Sequence, residues 1–294
     1  MVSITECPVC KSHSIKPFIQ CTDFTVSHET FAVNRCEVCG LGITSPRPDD
    51  ENLGAYYKSE EYISHSGKTS GGIGLIYNTA RTFALRWKTR IVDPKKSNVI
   101  ALDFGCGTGE FLQTLKTRGW KVEGVEPSEN ARTKAETLVR QKINASLKLI
   151  SDHRFDIITA WHVIEHVPDL PQTIQRLKGL LKKDGTIFIA VPNYESADAK
   201  QYQEFWAGYD VPRHLWHFSK KSMMQLLATY GLDVVKILPM KLDAYYVSML
   251  SEKYKRNANP IANLVRGSVS GLKSNLAGKK EKNHSSLIYI ARHR

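Results

Sequence analysis

The stretch DFGCGTGEF, residues 103–111, constrains the fold of this chain more than any other part of its sequence. It follows the apolar run VIAL at 99–102 and precedes a segment whose apolar residues recur at helical spacing. This order predicts a strand, a glycine turn and a helix. Gly105, Gly107 and Gly109 let the backbone approach a ligand closely and direct N–H groups at it. The stretch therefore predicts a nucleotide-type ligand at the end of a strand.

Strand and helix patterns alternate on both sides of this turn. Strands are predicted at 98–104, 121–126, 155–161, 186–191 and 232–238, and helices at 109–118, 128–142, 170–182 and 219–230. A short strand at 146–149 and a last strand at 286–291, antiparallel to the one at 232–238, would complete seven. The pattern predicts a doubly wound, mostly parallel seven-stranded α/β sheet with helices on both faces.

The sequence predicts three parts. Residues 1–45 form a small cysteine-containing module, 46–95 a connector with helices, and 96–294 the sheet domain, with a helical insertion at about 243–276 before the last strand. No apolar run reaches the roughly 18 residues that a membrane span needs. The first residues lack a basic-then-apolar leader, so a cytoplasmic location is expected.

Two CxxC pairs, Cys7 with Cys10 and Cys36 with Cys39, lie in the first part. Without an export signal such pairs are typical of a metal site rather than of disulfides. Four thiolates make a closed tetrahedral zinc site, which is structural because it has no open position for water. A segment this short buries little apolar area, so zinc would supply the missing stability. The alternative is a site that once bound zinc, or thiols that simply pair with one another.

An acidic residue, Glu126, ends the predicted second strand in VEGVEPS, residues 122–128. A carboxylate at this position can accept hydrogen bonds from both hydroxyls of a ribose. The alternative is an acid that caps the helix beginning after Ser128.

Two further motifs follow, FDIITAWHVIEHV at 155–167 and LKKDGTIFIAVPN at 181–193. With the glycine turn and VEGVEPS in the same order, they resemble the motif series of class I S-adenosylmethionine-dependent methyltransferases over about 97–240. Within that class the chain looks closest to a subset with an N-terminal CxxC…CxxC zinc module, which includes sugar C-methyltransferases.

The resemblance implies a Rossmann-like methyltransferase fold, S-adenosylmethionine as cofactor and a set of cofactor-binding residues. Asp103 and the glycine turn would hold the methionine part, Glu126 the ribose, and Trp161 and His162 would lie near the sulfonium. The implied cofactor residues are Asp103, Gly105, Cys106, Gly107, Gly109, Glu126, Pro127, Trp161 and His162. Many members bind the adenine amino group with an acid after the third strand. Here Asp152 stands close to the next strand, and backbone near Leu147 is the alternative.

The loop WAGYDVPRHLWHFS, residues 206–219, is predicted to contribute the residues that act on the methyl acceptor. His214 is the first candidate for a general base and His217 the second, because an imidazole accepts a proton near neutral pH. Tyr209 is the third catalytic candidate, and Arg213 is suited to clamp a phosphate or carboxylate. The alternative is that these side chains pack a long loop onto the sheet.

Other side chains have two interpretations. Tyr56, Tyr57, Tyr62 and Tyr77 precede the sheet; the resemblance suggests a lid over the cofactor, and the alternative is packing against the zinc module. His162 and His166 stand four residues apart beside Glu165, an arrangement that could hold a metal.

Two functions compete for this sequence. The first is methylation of a small polar acceptor, such as a nucleotide-linked sugar, a glycan or a lipid precursor, which could be phosphorylated. The second is RNA methylation, with the zinc module and the basic C-terminal segment as RNA readers. The net charge is +12, and residues 241–294 carry 11 Lys and Arg against 3 Asp and Glu. That excess also suits an anionic membrane surface or a solvated face. A cofactor-binding scaffold without turnover is a third interpretation.

Overall fold

The computed structural model describes residues 1–57, 72–151, 154–256 and 259–294, with backbone only at 72–81. In these ranges the strands are β1 (Ile15–Thr22), β2 (Thr30–Cys36), β3 (Gly42–Thr44), β4 (Ile100–Phe104), β5 (Lys121–Val125), β6 (Phe155–Trp161), β7 (Leu181–Pro192), β8 (Trp216–His217), β9 (Leu232–Pro239) and β10 (Ser286–His293). The α-helices there are α1 (Gly72–Val92), α2 (Glu110–Lys116), α3 (Glu129–Val139), α4 (Leu170–Leu180), α5 (Ala197–Tyr202), α6 (Lys220–Thr229), α7 (Lys241–Arg256) and α8 (Pro260–Glu281).

The main sheet has the strand order β5–β4–β6–β7–β10–β9. β4 pairs in parallel with β5 and β6, and β6 pairs in parallel with β7. The last strand, β10, lies antiparallel between β7 and β9. Parallel strands joined by helices place their carboxyl ends along one edge, where α/β proteins bind ligands. The α/β class and the mostly parallel, doubly wound sheet are therefore confirmed.

The number of strands differs from the prediction, because the described part of the main sheet has six strands rather than seven. The expected short strand is a 3₁₀ helix, Leu147–Leu149, and upstream only Asn144 makes a parallel bridge, to Val125. Ser146 accepts a hydrogen bond from the backbone N–H of Lys148, which turns the chain out of the extended conformation. This local capping outweighs the weak strand propensity of the segment.

The N-terminal sheet has the order β1–β2–β3–β8, so its fourth strand comes from the far end of the chain. Gly42 pairs with His217, and Ile43 pairs with Trp216. Leu41, like Ile43 and Trp216, is buried in a core cluster that also contains residues of β4, β6 and β7. The first residues therefore pack as part of the same core, and a domain boundary at residue 45 stays a prediction.

The expected insertion is a hairpin of two long helices, α7 and α8, between the edge strand β9 and the last strand β10. It covers Lys241–Arg256 and Pro260–Glu281, somewhat more than the predicted segment. In the described ranges, none of the helices combines the length and apolarity needed to cross a bilayer.

Candidate functional site

The glycine turn follows β4 and is held against the end of β5. The N–H groups of Gly105 and Cys106 both donate to the carbonyl of Val125, at 2.8 and 3.1 Å. Gly105 has φ 73°, and a Cβ there would lie 2.3 Å from Cγ2 of Val163. Only glycine fits this position, because the conformation is left-handed and the space is filled. The turn is therefore shaped by its neighbours before any ligand arrives.

Gly107 and Glu126 form the open side of this turn. Oε2 of Glu126 accepts a hydrogen bond from the Gly107 N–H at 2.9 Å, and its Oε1 accepts one from Ser128 N–H at 2.9 Å. A Cβ built on Gly107 would meet no atom within 4 Å. A carboxylate at the end of β5 beside unfilled space suits a ligand with hydroxyl groups. The contact with Ser128, the N-cap of α3, shows that Glu126 also supports the helix start.

Pro127 follows Glu126, and a side chain of helix α3 holds the carbonyl groups of both residues. The Nη1 atom of Arg132 donates to the carbonyls of Glu126 and Pro127, each at 2.9 Å.

Cys106, in the glycine turn, is buried, and burial raises the pKa of its thiol well above the ordinary range. This thiol packs in the core beneath the turn as a neutral group.

Asp103 lies in β4, two residues before Gly105, and is only 2% exposed. Its Oδ1 accepts a hydrogen bond from the hydroxyl of Thr159 at 2.6 Å. Burial raises the pKa of Asp103 to about 7, although the Thr159 hydrogen bond and the charge of Lys88 oppose this shift. A buried carboxylate of this kind favours a cationic partner such as a ligand ammonium group.

Trp161 ends β6 and forms a wall next to the turn. Phe111 packs edge-on against its indole, with ring centroids 5.5 Å apart, and Nζ of Lys88 lies 4.5 Å from its ring centroid. The indole Nε1 is buried without a hydrogen-bond partner in the described structure. Such orphan donors are rare in native proteins and are expected where a ligand supplies the acceptor.

His162 directly follows Trp161 and has a positive φ of 56°. Its Nε2 lies 2.8 Å from Oδ2 of Asp243 at the start of α7, and its Nδ1 lies 3.3 Å from Oε1 of Glu165. Burial alone would lower the pKa of His162, but these two carboxylates raise it to about 10. The imidazole is therefore a cation at neutral pH. A strained backbone that carries a fixed charge is typical of functional sites.

A cluster of Glu165, His166 and His214 lies next to His162. One side-chain ligand atom from each of these three residues lies within 4.8 Å of the other two, and the rings of His166 and His214 are 4.5 Å apart. Nδ1 of His166 lies 3.0 Å from the Tyr57 hydroxyl, and Nδ1 of His214 lies 2.9 Å from the Gly208 carbonyl. Oε2 of Glu165 has no partner in the described structure although the residue is 1% exposed. The set that could hold a metal is therefore Glu165, His166 and His214, rather than the expected His162 and His166 beside Glu165.

The structure places His217 and Tyr209 apart from the cofactor turn. His217 belongs to β8, and its Nε2 lies 2.9 Å from the hydroxyl of Thr44 in β3. Tyr209 is 3% exposed and packs edge-on against Trp206 and His217. Burial raises the pKa of Tyr209 above its ordinary range. Their surroundings are those of side chains that join the loop 206–219 to the N-terminal sheet, and catalytic roles for both stay predictions.

Arg213 is committed to protein groups rather than to an open pocket. Its guanidinium donates to the carboxylates of Asp23 and Asp210 at 2.9 and 2.7 Å and to the carbonyl of Tyr56 at 2.9 Å. The side chain is 1% exposed. The described arrangement thus does not support the expected phosphate clamp: Arg213 fastens the loop 206–219 to the first part of the chain.

The four predicted ligand cysteines are brought together. Sγ of Cys7 lies 3.5 Å from that of Cys39, Sγ of Cys10 lies 3.4 Å from that of Cys36, and all four lie within 4.8 Å of one another. Thiolates around zinc at about 2.3 Å in a tetrahedron are separated by about 3.8 Å. The four sulfur atoms therefore fit one structural zinc ion. The other two cysteines, Cys21 and Cys106, are buried elsewhere.

Some predicted residues lie outside the described part. Tyr62 and Asp152 fall there, and for Tyr77 only the backbone is described. The Tyr56 hydroxyl donates to Glu29 at 2.9 Å, so this ring packs on the N-terminal module. Tyr57 instead reaches the His166–His214 cluster.

Sequence reasoning missed three residues of the site, namely Thr159, Asp243 and Lys88. Thr159 lies in β6, a strand whose side chains are nearly all buried, and Asp243 lies in a helix more than 80 residues away from its partner His162. Lys88 lies on helix α1, in the connector. The one signal for Thr159 is its hydroxyl group, which stands within an otherwise apolar run at 157–160.

A family model described as a methyltransferase domain matches residues 77–237, more than half of the chain. The chain belongs to the methyltransferase domain family. It is an S-adenosylmethionine-dependent methyltransferase, as the resemblance of its four motifs implies.

Two curated relatives are similar to about half of the chain. The ubiquinone biosynthesis O-methyltransferase of Actinobacillus pleuropneumoniae is 27% identical over 183 residues, which are 56% of this chain and 76% of that protein. The protein of the same name from Pelagibacter ubique is 31% identical over 168 residues, 50% of this chain and 70% of that protein.

Solved structures of other methyltransferases share the fold. Magnesium protoporphyrin IX methyltransferase from Synechocystis PCC 6803 with bound SAH has a TM-score of 0.56 at 11% identity, covering 84% of this chain and 100% of that chain. Phosphoethanolamine N-methyltransferase 2 from Haemonchus contortus with S-adenosyl-L-methionine has a TM-score of 0.54 at 18% identity, covering 86% and 61%.

Proposed function

We propose that this methyltransferase methylates a small polar acceptor, with His214 as the general base. S-adenosylmethionine, when bound, supplies a methyl group made electrophilic by its sulfonium. The acceptor atom forms a bond to the methyl carbon as the carbon–sulfur bond breaks, and its proton passes to Nε2 of His214. The names of the two curated relatives support a hydroxyl group as the acceptor.

The observation that carries this proposal is the continuous line of polar side chains from His162 through Glu165 to His214. His162 adjoins Trp161 at the cofactor end of β6. At the other end of the line, the contact of His214 Nδ1 with the Gly208 carbonyl places a proton on Nδ1 and leaves Nε2 as the proton acceptor. We infer that this line of side chains links the base to the cofactor end of β6, since deprotonation of an acceptor requires a base near the methyl donor.

The cofactor roles proposed for the chain follow the geometry of the turn. Glu126 would accept hydrogen bonds from the ribose, and Asp103 would pair with the ammonium group of the methionine part. Gly105, Cys106, Gly107 and Gly109 would line the methionine side, with Pro127, Trp161 and His162 around it. The orphan Nε1 of Trp161 and the open space at Gly107 support this placement.

Replacing Gly107 by alanine is expected to weaken S-adenosylmethionine binding by roughly tenfold or more, a loss of about 1.4 kcal/mol or more. The new methyl group meets no protein atom within 4 Å, so the cost beyond the strain of a left-handed alanine should fall on the ligand. Gly119→Ala is the matched control, because Gly119 also has a positive φ and an open Cβ position but lies beyond α2. Calorimetric titration measures both, and equal affinities would remove Gly107 from the site.

Zinc is proposed as a structural ion held by Cys7, Cys10, Cys36 and Cys39. Cys36→Ser should reduce the zinc content from one equivalent toward zero and lower the midpoint of thermal unfolding. Cys21→Ser, at a buried thiol outside the cluster, should keep the metal. Elemental analysis of both purified variants is the measurement. One full equivalent retained in Cys36→Ser would refute the four-thiolate site.

The acceptor class is tested with S-adenosylmethionine labelled in its methyl group. The purified enzyme is incubated with the small-molecule pool and with total RNA from its own cells. Label in the small-molecule pool, lost in His214→Ala, is the expected result. Label in RNA instead would replace the proposal with the RNA-methylating alternative. Label in neither fraction would overturn the small-acceptor proposal.

A further inference from the structure

Helix α8 buries mostly small residues and exposes large aliphatic residues, the opposite of an ordinary amphipathic helix. Its buried residues are Asn263, Gly267, Ser270, Gly271, Ser274 and Gly278. Its exposed aliphatic residues are Ile261, Val265, Val269, Leu272 and Leu276, with exposures of 71, 58, 49, 50 and 61%. We call these five residues the α8 stripe. At 100° per residue they fall within an arc of about 80°.

The orientation of α8 is fixed by close contact with α7. A Cβ on Gly267 would lie 2.5 Å from Cα of Met249, and one on Gly271 would lie 2.7 Å from Cα of Tyr245. The two backbones approach so closely that only the glycine side can face α7. The helix therefore cannot roll to bury its aliphatic side chains, and no other described element packs on the α8 stripe. Contiguous apolar surface of this kind marks an interaction site.

The charges beside the stripe identify its partner. Arg266, Lys273 and Lys280 are exposed and follow each other at intervals of seven residues, so they form a row along one flank of the stripe. The segment 260–280 contains no acidic residue. Two copies of α8 packed face to face would bring these like charges together, which disfavours self-association. A surface that is both apolar and anionic satisfies both features at once.

We propose that the α8 stripe and its basic row bind the surface of an anionic phospholipid membrane. Amphipathic helices with a basic flank lie in the interfacial plane, with aliphatic side chains among the acyl chains and cations beside the headgroups. The rigid hairpin would hold α8 at the bilayer, and α7, through Asp243, also contacts the active-site residue His162. This inference does not depend on the nature of the acceptor.

The test is sedimentation of the full-length protein with vesicles of phosphatidylcholine, with and without phosphatidylglycerol. Binding is expected to the anionic vesicles and to weaken with added salt. Val265→Glu combined with Leu272→Glu should reduce the bound fraction by roughly tenfold or more, and Arg266→Glu with Lys273→Glu should do the same. Leu138→Glu, at a 42% exposed leucine on helix α3, is the matched control and should bind as the unaltered protein does.

Each variant is checked for S-adenosylmethionine binding, and Val265→Ser with Leu272→Ser replaces the glutamates if the first pair fails to fold. Absence of binding to anionic vesicles would overturn the proposal, as would unchanged binding by the Val265 and Leu272 variants. A dimer in solution that these substitutions dissociate, without vesicle binding, would assign the α8 stripe to a second copy of the chain instead.

Discussion

Replacement of His214 by alanine is expected to lower turnover by about 10² to 10⁴-fold, the usual contribution of a positioned general base. The affinity for S-adenosylmethionine should stay nearly unchanged, because the glycine turn and Glu126 lie in the other half of the site. His214→Asn is the informative partner variant. The amide nitrogen of asparagine is attached to Cγ like the imidazole Nδ1, so it can still donate to the Gly208 carbonyl while the general base is removed. Both variants should therefore be slow.

Single-turnover methyl transfer with the identified acceptor measures this effect apart from binding and product release. His13→Ala, at an exposed histidine of the N-terminal module, serves as the control for loss of an imidazole. Full turnover in both His214 variants would leave the residue with a packing role only. A defect in His214→Ala that His214→Asn repairs would show that the hydrogen bond to Gly208, rather than proton transfer, is what the enzyme needs.

Replacement of Arg213 by alanine is expected to lower the free energy of unfolding by about 3–5 kcal/mol. The substitution leaves the carboxylates of Asp23 and Asp210 without their cation, and Asp23 is 1% exposed. Arg294→Ala is the matched control. That arginine pairs with Asp233 at the surface, where exposed ion pairs contribute little to stability. Urea unfolding of the three proteins gives the comparison.

The pH dependence provides a second readout of the Arg213 network. Burial alone would raise the pKa of Asp23, but the guanidinium of Arg213 and nearby backbone N–H groups lower it to about 2. A lowered carboxyl pKa stabilises the fold above the ordinary value of 3.8, and the contribution is lost as the pH falls through about 2. The difference in the free energy of unfolding between the parent protein and Arg213→Ala should therefore shrink at low pH. A difference that is small and constant from neutral to acid pH would contradict the network.

The parts of the site that lie close together in sequence were predictable. The glycine turn needs left-handed backbone within a few residues, and the two CxxC pairs bring neighbouring thiols together by local turns. The order of strands and helices also follows from local periodicity. The predicted seventh strand was wrong because a local hydrogen bond, donated by the N–H of Lys148 to the side chain of Ser146, turns a segment with weak strand propensity out of the extended conformation.

Residues that meet only through the tertiary fold could not be predicted. Asp243 joins His162 because the helical hairpin returns to the end of β6, and Arg213 joins Asp23 because β8 completes the N-terminal sheet. Sequence order carries no information on such contacts, since a candidate base and a structural cation look alike in a list of polar residues.

The sequence by itself determined the family, the α/β class and the cofactor turn, because these depend on glycine conformation and on hydrophobic periodicity, which are local. The tertiary structure decided the rest. It placed Arg213 in an ion-pair network and left His214 beside Glu165, and it turned the aliphatic side of α8 outward. These outcomes depend on which elements pack together, and packing is set by close contacts between segments far apart in the chain.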